Sequence, residues 1–179
     1  MSLQRTTLFK HIVFDSVSFG FSQCLRMASS YRIKAELKNF FENPPDCMVL
    51  DAEKTAEDTH TWFINVEAAK GTIYEGEKYV LRVRFSDDYP FKPPEVVFVG
   101  DCVPCNPHVY ECGHICISTL GDGWSPMLNV QAVCVSIISM LASCKTKQWP
   151  VDNSNYSKRM AGKSPDYKHF NGTYWDAKC

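Results

Sequence analysis

The chain has 179 residues, 45% of them hydrophobic and 22% charged, a length that suits one domain and a composition that excludes wholesale disorder and low-complexity architectures. Nineteen basic residues against 20 acidic ones give a net charge of −1, without the basic excess a nucleic-acid binder uses to displace phosphate counterions. No apolar run approaches the roughly 18 residues that span a bilayer, so neither nucleic acid nor membrane is expected as a partner.

At the start, Arg5 and Lys10 precede only a short apolar stretch, Ile12-Val13-Phe14, cut off by Asp15, too short for a secretory signal. Residues 1–26 are Ser/Thr-rich and read as a disordered extension, with a transit peptide as the alternative. Nine cysteines cannot all pair within one chain. With no secretory signal, they point to free thiols in a reducing compartment, cytoplasm or nucleus. A helix is predicted from the candidate caps Ser29 and Ser30 through Ile33, Leu37, Phe40 and Phe41, ending at Asn43-Pro44-Pro45. Strands follow, in which Trp62, Ile64 and Val66 alternate with Phe63, Asn65 and Glu67, and Tyr79, Leu81, Val83 and Phe85 with Val80, Arg82, Arg84 and Ser86. Gly71 to Gly76 reads as the turn between them, and Glu95 to Val99 as a further valine-rich strand. From Asp101 to Trp124 the periodicity vanishes, and a loop of that length in a compact domain is usually functional. Asn129 caps a second helix carrying Val130, Val133, Cys134, Ile137, Ile138 and Leu141, with Val135 and Met140 on other faces, which reads as a central buried helix. From Ser157 the chain turns polar, then aromatic, without a period. Strands clustered between helices mean α+β.

The long loop carries Cys102, Cys105, His108, Cys112, His114 and Cys116. Two readings compete. Cys102 and Cys105 have C-x2-C spacing with His108 close behind, a donor set zinc accepts. Yet no second ligand pair follows, and Pro104 and Pro107 stand where knuckle glycines would be. The other reading is a single nucleophilic cysteine, Cys116, in Gly113-His114-Ile115-Cys116-Ile117-Ser118 ahead of Trp124-Ser125-Pro126. A nucleophilic thiol must be reachable and partly ionised. A loop meets that need better than the apolar helix face bearing Cys134, where core packing is expected of Cys134 and Cys144.

Several motifs in register resemble the ubiquitin-conjugating enzymes: Gly71-Thr72-Ile73-Tyr74-Glu75-Gly76, Tyr89-Pro90-Phe91-Lys92-Pro93-Pro94, His114-Ile115-Cys116-Ile117-Ser118, Trp124-Ser125-Pro126 and Ser136-Ile137-Ile138-Ser139-Met140-Leu141. The resemblance covers residues 27–156 and leaves 157–179 as a C-terminal tail. Pro107-His108-Val109-Tyr110, Ser143-Cys144-Lys145 and Asp152-Asn153-Ser154 resemble the family's W-type branch, as does Met27-Ala28-Ser29, which marks Met27 as an alternative initiator.

The resemblance implies an N-terminal helix, a four-stranded antiparallel sheet, a long active-site loop, a central helix and a short irregular tail in place of two C-terminal helices. It implies that Cys116 accepts ubiquitin from the activating enzyme as a thioester and passes it on, with a RING or U-box ligase, to an amine. No metal or cofactor is implied, because ATP is used by the activating enzyme. Asn106-Pro107-His108 stands where most of the family has His-Pro-Asn. His108 and Asn106 therefore either serve the oxyanion of aminolysis or only brace the loop. Asp152 matches an acidic gate residue that orients the amine, or is a solvated loop aspartate. Phe91, Pro126 and Met127 fall at the family's ligase and activating-enzyme contacts, as do Arg32 and Glu36. Local packing of Phe91 and a solvated helix face for Arg32 and Glu36 are the alternatives. The W-type resemblance implies a preference for the α-amine of a flexible substrate N-terminus. Two other functions remain at this point, a non-catalytic adaptor of the same family and a zinc-binding interaction module.

Overall fold

A computed structural model of the chain describes residues 21–165. The expectations for residues 1–20 and 166–179, including the transit-peptide reading and the aromatic end of the tail, lie outside the described residues.

The first helix, α1, spans Phe21–Glu42. It starts well before the expected caps, and Ser29 is buried inside it. No proline or glycine interrupts Phe21 to Ala28, so nothing stops the helix at Ser29. The expected apolar face is present, with Ile33, Leu37 and Phe40 all buried. The residue 26/27 boundary therefore falls within a continuous helix.

Four strands follow, β1 (Met48–Leu50), β2 (Thr61–Glu67), β3 (Lys78–Arg84) and β4 (Glu95–Val99), paired antiparallel in chain order. The register aligns Ile64 with Leu81 and Leu81 with Phe98. Trp62, Ile64, Val66, Tyr79, Leu81, Val83, Val96 and Phe98 thus line one buried face. The β1 strand is three residues long, too short to show a period. A six-residue helix after it, α2 (Ala52–Glu57), is capped by the Asp51 carboxylate, which accepts from Lys54 N. Neither element was legible as periodicity.

The helix over the sheet, α3, spans Val130–Ser143, and the Asn129 side chain accepts from Ala132 N at 2.8 Å. Val130, Val133, Cys134, Ile137 and Leu141 are buried, but Val135 is 52% exposed. This helix covers the core with one face and is not enclosed on all sides. Phe40, Trp62, Phe85, Tyr89 and Trp124 form an edge-to-face or tilted aromatic chain through one end of the core. Among the described residues no helix is long and apolar enough to cross a membrane.

The tail corrects a second expectation. Residues Asn153–Met160 form a helix, α4. Only Asn153 and Tyr156 of it are buried, too few apolar positions to announce a helical period in the sequence.

Candidate active site

The expected long loop is not structureless. His108 to Cys116 fold into a tight hairpin, in which Cys116 N donates to His108 O at 2.7 Å, Tyr110 N to His114 O at 2.9 Å and Gly113 N to Tyr110 O at 2.8 Å. The hairpin lies against β4, with Phe98 N donating to Gly113 O at 2.9 Å and Val97 bridging His114. Gly113 has φ +89°, and a Cβ there would sit 2.0 Å from Phe98 O. Both the left-handed backbone and the approach to β4 require glycine. A 3₁₀ turn, Ser118–Leu120, follows Cys116 after the extended Ile117.

Asn106 is fully buried. Its Oδ1 accepts from His108 N at 2.8 Å and its Nδ2 donates to the Tyr74 hydroxyl at 3.2 Å. That hydroxyl donates in turn to Cys105 O at 2.7 Å. The turn at Gly71–Gly76 thus delivers Tyr74 to the underside of the loop. Both amide groups of Asn106 serve bracing bonds, and His108 is largely buried beside it.

Cys116 is half-exposed at the mouth of this hairpin. Cys47 and Cys102 are exposed and Cys112 is half-exposed as well, so exposure alone does not single out Cys116. Burial pushes the Cys134 thiol up to about 12 and raises that of Cys105, so both stay protonated and unreactive at neutral pH. Cys144 is buried. Among the described residues no three His, Cys, Asp or Glu side chains gather as a metal ion needs. Cys102, Cys105, His108 and Cys112 are therefore not drawn into one cluster, against the zinc-module alternative.

Asp152 immediately precedes α4 and is exposed, yet it is held. The buried Tyr110 hydroxyl donates to its Oδ1 at 3.1 Å. Burial, then the Asp152 charge, then the Cys116 charge all push the Tyr110 hydroxyl above its ordinary range. Tyr110 thus lies within electrostatic reach of both the thiol and the carboxylate. The start of α4 is fastened to the hairpin by Asn153 Oδ1, which accepts from Glu111 N at 2.9 Å.

A second cluster lies midway along α1, at Arg32 and Glu36. Glu36 accepts from Arg32, from the Tyr89 hydroxyl at 2.5 Å and from Val130 N at 2.9 Å, while Arg32 Nη2 donates to Leu128 O at 2.8 Å. Trp124 Nε1 donates to Pro90 O at 2.8 Å. These bonds join α1, the Tyr89–Pro94 loop and the Ser125–Asn129 loop into one unit. On it Phe91 and Met127 stand 69% and 89% exposed, beside the exposed Pro126. Phe91 is not packed away locally, and Glu36 is not on a solvated face.

The family model described as "Ubiquitin-conjugating enzyme" matches residues 32–171. The chain belongs to the ubiquitin-conjugating enzymes. A Danio rerio relative, "Probable ubiquitin-conjugating enzyme E2 W-A", is 49% identical over 149 residues, covering 83% of this chain and 96% of the relative. The Caenorhabditis elegans "Ubiquitin-conjugating enzyme E2 W" is 44% identical over 138 residues, covering 77% and 90%. The crystal structure of ubiquitin-conjugating enzyme E2 UbcA1 from Agrocybe aegerita superposes with a TM-score of 0.71 at 43% identity, covering 77% of this chain and 98% of that one. The α+β fold inferred from the motifs is the fold of these enzymes. Ubiquitin-conjugating enzymes are transferases that work with ubiquitin, an activating enzyme and a ligase, so this chain is a transferase of that pathway.

In this ubiquitin-conjugating enzyme the structure brings Cys116, His108 and Asn106 together through the hairpin, and Asp152 to them through Tyr110. Arg32, Glu36, Phe91, Pro126 and Met127 belong to the second cluster. Sequence reasoning passed over Tyr74, Tyr110 and Tyr156. Tyr74 and Tyr110 stand inside the motifs that carried the resemblance, and a tyrosine repeated in two such runs was the signal available.

Proposed function

We propose that Cys116 carries ubiquitin as a thioester and hands it, with a RING or U-box ligase docked on Phe91, Pro126 and Met127, to the N-terminal α-amine of a flexible substrate. In the first step the Cys116 thiolate attacks the thioester joining ubiquitin to the activating enzyme. A new S–C bond forms, the old one breaks, and the activating enzyme's cysteine leaves as thiolate. In the second, a neutral amine attacks the carbonyl, an amide forms, and the proton lost by the amine goes to Asp152 or water while the Cys116 sulfur leaves. Such exchange needs a reachable thiol and little acid–base machinery. The observation that carries this reading is the half-exposed thiol of Cys116 beside Tyr110 and the carboxylate it holds.

The acceptor preference rests on proton affinity. An α-amine has an ordinary pKa of about 7.7–8.0 against about 10.4 for lysine, so near pH 7 far more of it is neutral. One carboxylate at the site, with both Asn106 amide groups committed to bracing, favours the amine needing least help. The half-exposed Cys116 leaves room for a peptide end. Free thiols at Cys47, Cys102, Cys105, Cys112, Cys116, Cys134 and Cys144 fit a cytoplasmic or nuclear location.

Charging with activating enzyme, ATP and ubiquitin tests the first step. One thiol-reversible adduct is expected. Cys116→Ala should give none and Cys116→Ser at most a thiol-stable oxyester. Charging that survives Cys116→Ala removes the assignment, and no charging of the native chain favours an adaptor. The second step is read by discharge onto a lysine-free peptide with a free N-terminus, against an N-acetylated peptide carrying one lysine. Faster discharge onto the acetylated peptide overturns the α-amine preference.

A further inference from the structure

His114 lies two residues before Cys116 and is buried, 3% exposed. Its two ring nitrogens have different partners. Nε2 is 3.0 Å from Lys163 O, and Nδ1 is 3.0 Å from the Tyr156 hydroxyl. A carbonyl oxygen only accepts, so Nε2 carries the hydrogen, and in the neutral ring Nδ1 accepts from the Tyr156 O–H. Of the two neutral tautomers, only the one with the hydrogen on Nε2 fits both bonds.

Those bonds reach two points of the C-terminal segment, Tyr156 within α4 and Lys163 beyond its end. Tyr156 is 1% exposed and stacks on Tyr110 with centroids 3.9 Å apart and an interplanar angle of 27°. Tyr110 in turn donates to Asp152. Meanwhile the backbone of His114 is fixed on the other side, bridging Val97 of β4 and accepting from Tyr110 N. His114 is thus the joint between sheet, hairpin and last helix. Glu95 of β4 and Arg82 of β3, themselves paired at 2.9 Å, are the charged groups that bear on the ring from the sheet. Tyr156 faces it from α4, and Tyr110 shares its hairpin.

Resting on the reading of Cys116 as the thioester-forming residue, we propose that His114 is a positioning residue for the transfer step. By pinning α4 through Tyr156 and Lys163, its neutral imidazole holds the Tyr110–Asp152 pair beside the reacting sulfur. The first step, exchange between two thioesters, uses none of this support. The second step uses the carboxylate at a defined place. His114 therefore acts on discharge and not on charging.

The test compares His114→Phe, His114→Gln and Tyr156→Phe in the full chain. Phenylalanine keeps the ring volume and loses both bonds. Glutamine offers one donor and one acceptor spaced much as in the imidazole, and Tyr156→Phe keeps the stack on Tyr110 while losing the hydroxyl. Each is charged with ubiquitin, the activating enzyme is stopped with EDTA, and discharge onto the free-N-terminus peptide is followed. His114→Phe should charge at the native rate and discharge about 10- to 100-fold more slowly, as expected for a displaced reacting geometry. His114→Gln should recover most of that loss, and Tyr156→Phe should fall between. If His114→Phe cannot be purified folded, Tyr156→Phe discharging within twofold of native overturns the proposal. Native-rate discharge from charged His114→Phe does so as well, and so does a loss in charging equal to the loss in discharge. Absence of any thioester on the native chain overturns the reading of Cys116 and this inference with it.

Discussion

Replacing Glu36 with glutamine changes one oxygen to an amino group and leaves the shape alone. In the native chain Glu36 receives hydrogen bonds from Arg32, the Tyr89 hydroxyl and Val130 N, and its side chain is only 10% exposed. Glutamine can accept on one side only, so a donor on the other side faces a donor. Leaving one buried donor unpaired costs about 1–3 kcal/mol. Losing the negative charge at the first turn of α3 adds about 0.3–1 kcal/mol. The sum, about 3 kcal/mol, lowers the Tm of a domain this size by about 6–12 °C. Differential scanning calorimetry and urea titration measure it, and in a double-mutant cycle with Tyr89→Phe the two changes should be less than additive by about 1 kcal/mol. A Tm within about 1–2 °C of native would refute the reasoning. Glu36 would then be the solvated surface residue that its sequence position alone allows.

Gly113→Ala should be more damaging, because it combines a positive φ with a Cβ 2.0 Å from Phe98 O; a loss of about 4 kcal/mol or more is expected in urea titration, and a change below about 1 kcal/mol would mean the hairpin can lift off β4 freely. Phe91→Ala and Met127→Ala remove side chains that are 69% and 89% exposed, so their Tm should stay near native while ligase-stimulated discharge falls severalfold; native stimulation would show that this patch is not the ligase contact. The fourth prediction concerns pH. Burial holds the folded His114 imidazole below its ordinary 6.5, whereas the unfolded chain takes up the proton near 6.5. The unfolded state then binds more protons as pH falls below 6.5, so stability rises with pH across that window and is lost on acidification. Urea midpoints between pH 7.5 and 5 should decline more steeply for the native chain than for His114→Gln, and parallel lines would contradict it.

The family, the nucleophile candidate and the longer elements were readable before any coordinates, for a local reason. Strand alternation at Trp62–Val66 and Tyr79–Phe85, the Asn129 cap and the Pro44-Pro45 stop are short-range signals set by pleat, hydrogen-bonding geometry and ring sterics. Elements without a buried stripe gave no such signal: β1 at three residues, α2 on the surface and α4 with Asn153 and Tyr156 as its buried positions. Their places are decided by pairing with β2, by Asp51 and by the hairpin. The start of α1 gave no signal because Phe21 to Ala28 carries no apolar period of its own and no proline or glycine to mark a boundary.

What the sequence by itself determined is the set of local conformations and the motifs that make Cys116 the candidate nucleophile. Which side chains meet is another matter, because Glu36 and Val130 are 94 residues apart, Asp152 and Tyr110 42, and His114 and Lys163 49. Contacts at such separations depend on how the chain closes its long loops, which no local pattern encodes. Only the tertiary structure decided that Glu36 is a buried clasp, that Asn106 has both amide groups spent on bracing, and that the segment read as an open tail begins as a helix. That helix is fastened to the active-site hairpin by a histidine.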